Sequence, residues 1–166
     1  PALQTLTRPD YLPTQADIDE LYTVLVEAQE RAGEPPATAW ELGWGARGVE
    51  LERQRLAGAR TLPSNAPTID DFSYDVARSI KSIDLNAPWY RDPLNLSRRI
   101  DGYVDKLTGF DGMFWAGVRI EPNQITGRIL DIVVPKNSGA PAQREAIERS
   151  VERARRLGVH IQISPY

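Results

Sequence analysis

The stretch that most constrains the fold is 128–134, Arg-Ile-Leu-Asp-Ile-Val-Val, a β-branched run closed by Pro135. β-Branched side chains lose little freedom in extended backbone, and proline cannot donate to a sheet ladder. The run therefore predicts a central strand that stops at Pro135. Downstream the pattern turns helical: Pro141 opens a helix that continues through Leu157 and ends at Gly158, a C-cap glycine, before a last strand over 159–164. Upstream, 94–110 carries Leu96, Ile100, Val104 and Leu107 on one helical stripe, and a strand is expected near 115–120. Strands set among amphipathic helices bury their apolar faces best as layers. The fold class expected is α/β (α+β), a mixed central β-sheet flanked by helices.

The first part of the chain adds helices. Thr14 and Asp17 cap a stripe of Ile18, Leu21, Val24, Leu25 and Ala28, which predicts a helix over 15–32 stopped by Gly33 and Pro35-Pro36. A second helical pattern runs over 37–56, with Trp40 and Trp44 one turn apart and expected in the core. A turn-rich connector over 61–67 leads to two strands, 68–72 and 76–83, around a short polar break. The organisation expected is an N-terminal helical lead-in over 1–38 and a main domain over 39–166. Trp89 and Tyr90, just after Pro88, are expected to anchor a loop rather than stack a base.

Composition then removes whole classes of chemistry. No apolar run approaches the roughly 18 residues of a membrane helix, so no stable membrane insertion is expected. Cysteine is absent, which excludes a disulfide framework and a thiol nucleophile. His160 is the single histidine, too few for a two-histidine acid/base pair or a multi-histidine metal cage. Carboxylates, hydroxyls and cations remain. Residues 1–74 carry a charge balance of −6 and residues 75–166 one of +3, so a nucleic acid would favour the second part. The chain opens at Pro1 without an initiator methionine and is expected to be a piece of something longer.

Only three lysines occur, Lys81, Lys106 and Lys136, and Lys81 falls inside an otherwise apolar strand. Period-two alternation puts it on the same face as Ser79, and a lysine there needs a partner to offset desolvation. Asp70, across the hairpin, is the simplest one. Asp71 alternates to the opposite face with Ile69. Two readings of this cluster stay open from the residues alone: a structural salt bridge, as edge strands often carry, or a cation-binding site. Among other cations, Arg78 and Arg128 lie near the strands and are the phosphate-binding candidates. The arginines of 141–157 are expected to pair with Glu145, Glu148 and Glu152 on a solvated face. His160 is expected in packing or at the surface.

A resemblance adds to this reading. Gly48-Val49-Glu50-Leu51-Glu52, Leu62-Pro63, Pro67-Thr68-Ile69-Asp70 and Ala77-Arg78-Ser79-Ile80-Lys81-Ser82-Ile83-Asp84-Leu85 resemble the C-terminal nuclease toxins of contact-dependent growth inhibition (CDI, CdiA-type) systems. So do Gln124-Ile125-Thr126-Gly127-Arg128, the run from Leu130 to Pro135, and Gly158-Val159 with its closing strand; the likeness spans about 40–166. These toxins in turn resemble the PD-(D/E)XK restriction-endonuclease superfamily.

The resemblance implies catalytic roles for Glu52, Asp70, Ser79 and Lys81, with Glu52 and Asp70 holding a divalent metal ion, Mg2+ or Zn2+. Glu50 rivals Glu52, and Ser79 stands where a carboxylate is usual. It further implies a metal-dependent endonuclease toxin that hydrolyses phosphodiesters of tRNA or DNA. Such a toxin would be delivered as part of a larger cell-surface protein, act in the target-cell cytoplasm, and be neutralised by a cognate immunity protein. A non-catalytic binding module and a metal-independent ribonuclease are the alternatives.

Overall fold

The computed structural model describes residues 38–56, 61–63 and 66–166, and the chain divides into two compact units, Pro1–Ala57 and Gly58–Tyr166. The helix expected over 15–32 lies outside the described residues. In the first unit a single turn of 3-10 helix, Ala39–Glu41, precedes α1 (Trp44–Arg55). Gly43 stands between them with extended ψ, so the helix expected over 37–56 is broken. That break corrects the reading of the two tryptophans. Trp44 becomes the first residue of α1 and is 83% exposed, while Trp40 is half-buried beneath the Arg47 guanidinium, 5.1 Å from its ring centre. Ala46 and Leu51 supply the buried side of α1 instead.

The second unit is built on a mixed sheet. Strands β1 (Asp71–Ser73) and β2 (Val76–Ser82) form an antiparallel hairpin. β2 then pairs in parallel with β5 (Gly127–Val134), and β5 in parallel with β6 (His160–Pro165), giving the order β1-β2-β5-β6. A separate hairpin, β3 (Met113–Trp115) with β4 (Val118–Ile120), stands where one strand near 115–120 is expected. The split comes from its turn: Ala116 (φ 46°) and Gly117 (φ 83°) both adopt left-handed backbone, which folds the segment back on itself.

Two helices cover one face of the sheet. α2 (Pro93–Thr108) starts at Asp92, whose carboxylate accepts from the Leu94 amide at 2.9 Å, with Pro93 in the first turn. Its stripe of Leu96, Ile100, Val104 and Leu107 is at most 1% exposed. α3 (Pro141–Arg156) ends as its glycine predicts. Gly158, at φ 77°, donates to Arg155 O, and Val159 donates to Ala154 O, the two bonds of a Schellman cap. Against these helices the sheet presents Ala77, Leu130, Ile132, Val134 and Ile161, all in one core. Leu130–Val134 is buried without interruption, the profile of a strand covered on both faces.

One buried polar contact fixes how the second helix meets the sheet. Gln143, near the start of α3, donates through Nε2 to Leu85 O at 2.9 Å and to Tyr90 O at 2.7 Å. Its Oε1 accepts from the Ala140 amide at 2.8 Å. Every polar atom of a 4%-exposed side chain is thereby engaged, and the chain leaving β2 is tied to α3.

Candidate active site

The β1–β2 hairpin sets the geometry of the candidate site. Asp71 opposes Arg78 in the ladder, and the Asp70 amide donates to Arg78 O at 2.8 Å. Alternation then puts Asp70 with Ser79 and Lys81 on one face, and Asp71 with Arg78 on the other. The side chains meet as that register requires. Asp70 Oδ2 accepts from the Ile80 amide at 2.6 Å, from Lys81 Nζ at 3.3 Å, and from Ser79 Oγ at a long 3.4 Å. The expected Asp70–Lys81 ion pair is therefore present.

This cluster is neither dry nor freely solvated. The Asp70 side chain is 16% exposed and that of Lys81 33%, while Ser79 is buried. All three hydrogen bonds fall on one oxygen of Asp70. Its other oxygen, Oδ1, accepts none from the described residues, so the carboxylate is oriented by its neighbours with one oxygen left to meet a ligand. Asp71 differs sharply. It is buried, and its carboxylate accepts from Thr61 Oγ1 and, at 3.0 Å to both oxygens, from Ser73 Oγ.

The two glutamates lie on α1, in the first unit. Glu50 is buried and accepts from Arg53 through both oxygens, at 3.0 and 2.8 Å, as well as from Gln54. Glu52 is half-buried on the same helix. The structure thus brings Asp70, Ser79 and Lys81 together in one unit and places Glu52 in the other. Among the described residues no cluster of three or more His, Cys, Asp or Glu forms a ready-made metal cage.

The other candidates divide. Arg128 is half-buried and donates from Nη2 to Phe110 O at 2.9 Å, which ties β5 to the segment after α2. Arg78 is half-buried on the face away from Lys81. Most of the arginines of α3 pair with acids: Arg149 with Glu145, Arg155 and Arg156 with Glu152 as expected, and Arg153 instead with Asp105 on α2 at 2.6 Å, while Arg144 donates from Nε to Gly139 O at 2.9 Å. His160 is exposed on β6. Trp89 departs from its expected role. It is 62% exposed and projects from the turn, while its neighbour Tyr90 packs against the core.

Comparison with known proteins follows the same lines. A solved CdiA-CT/CdiI toxin and immunity complex from Yersinia pseudotuberculosis aligns with a TM-score of 0.57 and 23% identity, over 75% of this chain and 99% of that one. That likeness shows the fold. No curated protein sequence matches the chain. A family model described as the CDI toxin restriction endonuclease-like domain matches residues 47–164, which takes in most of α1, the β1–β2 hairpin with its acid and lysine, and nearly all the rest of the sheet. The chain belongs to this family of CDI toxin restriction endonuclease-like domains.

Proposed function

We propose that this domain is a metal-dependent endonuclease, the toxic part of a larger delivered protein, which hydrolyses phosphodiester bonds of tRNA or DNA in a target bacterial cell. The observation that carries the reading is the convergence of Asp70, Ser79 and Lys81, with Asp70 held through one oxygen and its other oxygen open. A purely structural buried carboxylate tends to have both oxygens hydrogen-bonded, as Asp71 has through Thr61 and Ser73.

The donor set suits a hard ion such as Mg2+, which takes one or two carboxylates and completes its shell with water and phosphate oxygens. Asp70 and Glu52 would hold it. When bound, the ion supplies positive charge for the reacting phosphate and lowers the pKa of an attacking water. Lys81 then stabilises charge developing on the phosphate, since an ammonium 3.3 Å from Asp70 stays close to whatever that carboxylate grips. Ser79 Oγ, on the same face, orients a water or a phosphate oxygen by hydrogen bonding. Arg78 and Arg128 are proposed to contact nucleic acid. A cognate immunity protein, like the one in the Yersinia complex, is the proposed protein partner.

The decisive experiment incubates the purified chain with plasmid DNA and with total tRNA, each with Mg2+, Mn2+ or Zn2+ and with a chelator. Cleavage that needs the ion and disappears in Lys81→Ala, with an unchanged circular dichroism spectrum, is the expected result. A product pattern insensitive to chelator, or a Lys81→Ala chain that cuts at the wild-type rate, overturns it.

A further inference from the structure

The outer face of α2 carries an open groove of about 310 Å³ that the active-site reading does not use. It is lined by Trp89, Arg98, Arg99, Gly102, Tyr103 and Lys106 among others, and no carboxylate is among the described residues that line it. Arg98, Gly102 and Lys106 repeat at i, i+4 and i+8, so one row of the helix runs cation, gap, cation. Elsewhere the exposed arginines are mostly paired: α3 sets its own against Glu145, Glu152 and Asp105. Arg98 and Lys106 have no such partner among the described residues.

Two features make the groove a shaped site rather than a charged surface. Trp89 rides on a short 3-10 turn, Pro88–Arg91, that is pinned from both sides. Asn95 Nδ2 donates to Trp89 O at 3.2 Å, and Gln143 Nε2 donates to Tyr90 O at 2.7 Å. The backbone is fixed while the indole stands 62% exposed, an unusual place for a large apolar ring. Gly102 is the second feature. A Cβ at this position would meet nothing within 4 Å, so packing does not require glycine, yet glycine in a helix interior costs about 1 kcal/mol relative to alanine. The missing side chain keeps the floor of the groove low. Tyr103, with the Arg99 guanidinium 6.0 Å from its ring centre, closes one wall. Its pKa is raised, chiefly by burial and against the lowering pull of Arg99, so it presents a neutral phenol.

We infer that this groove binds an unpaired segment of the nucleic-acid substrate, with a base stacked on Trp89 and phosphates held by Arg98, Arg99 and Lys106. Cations without counter-charges select a polyanion. The exposed aromatic plane selects an unstacked base over a closed duplex, whose bases are already stacked. The inference rests on the nuclease reading for its substrate class, and binding and cleavage are therefore measured separately.

The test uses the full chain in chelator, with fluorescein-labelled twelve-nucleotide oligo-dT and oligo-U and a duplex of matched length. Expected are tighter binding of the single strands than of the duplex, and a loss of at least about fivefold for Trp89→Ala. Arg98→Ala with Lys106→Ala should also flatten the plot of log affinity against log salt by about 1.4. Gly102→Gln fills the groove with a good helix former. It should weaken single-strand binding while leaving the melting temperature equal or higher, which separates the effect from misfolding.

Hydrolysis of bis(p-nitrophenyl) phosphate, too small to span a groove and a catalytic centre, should proceed in Gly102→Gln at the wild-type rate. A wild-type chain that cleaves neither this ester nor nucleic acid sinks the nuclease reading, and the oligonucleotide arm still judges the groove. Equal affinity for single strand and duplex, or Trp89→Ala and Gly102→Gln chains that bind as wild type, overturns the inference. Weakened binding of poly-L-glutamate with oligonucleotide binding intact also overturns it, in favour of an acidic protein partner.

Discussion

Thr68 centres a γ-turn of the rare positive-φ hand, with φ 73° and the Ile69 amide donating to Pro67 O at 2.9 Å. A β-branched residue in this conformation costs on the order of 1–3 kcal/mol, and such strain persists only where its surroundings hold it. Here the next residues are Ile69, 0% exposed in the core, and Asp70. The turn delivers Asp70 to the face of Ser79 and Lys81. Asp71, one residue on, faces the other way and serves the fold, which separates two adjacent acids by experiment. Asp71→Ala strips Thr61 and Ser73 of their acceptor and should lower stability by about 1–3 kcal/mol in urea unfolding, with activity per folded molecule retained. Asp70→Asn keeps an acceptor for the Ile80 amide, so it should unfold close to wild type and lose cleavage.

At the scale of elements, caps and turns decide where segments end. Gly158 closes α3 with left-handed backbone, and a Cβ there would meet nothing within 4 Å. Gly158→Ala should therefore cost only the conformational penalty, about 1–2 kcal/mol, visible as a lower denaturation midpoint with an unchanged m-value. Those elements were legible because local rules and tertiary packing agree. The Leu96-Ile100-Val104-Leu107 stripe, the apolar run of β5 and the glycine stop of α3 each state one answer. The Asp70–Lys81 pair was legible for a related reason, since hairpin pairing and period two leave an acid few other places to go. Where local rules were broken, the sequence misled. Ala116 takes φ 46° in the β3–β4 turn, a conformation alanine rarely adopts, so the residues there signal one strand where the chain forms a hairpin. The break at Gly43 turned Trp44 outward, and exposed Trp89 looked like an anchor because sequence shows aromaticity but not which side of a turn is wet. Glu50 and Glu52 pose the same problem. Helical spacing separates their directions without saying which one faces chemistry.

For the whole molecule, an ion that binds only the folded chain must raise its stability, so metal binding is readable without turnover. At ten times its dissociation constant the ion adds about 1.4 kcal/mol, which raises the melting temperature by a few degrees for a protein of this size. Magnesium or manganese should produce that rise in the wild-type chain, and Asp70→Asn should abolish it, because Asp70 Oδ1 is the open oxygen of the cluster. The same titration chooses between the glutamates. Glu50 is committed to Arg53 and Gln54, so Glu50→Gln should lower the starting melting temperature and leave the ion-induced increment intact. Glu52→Gln should instead lose the increment. An increment that survives in both Glu52→Gln and Asp70→Asn would move the ion elsewhere in the molecule and remove the proposed role of both carboxylates.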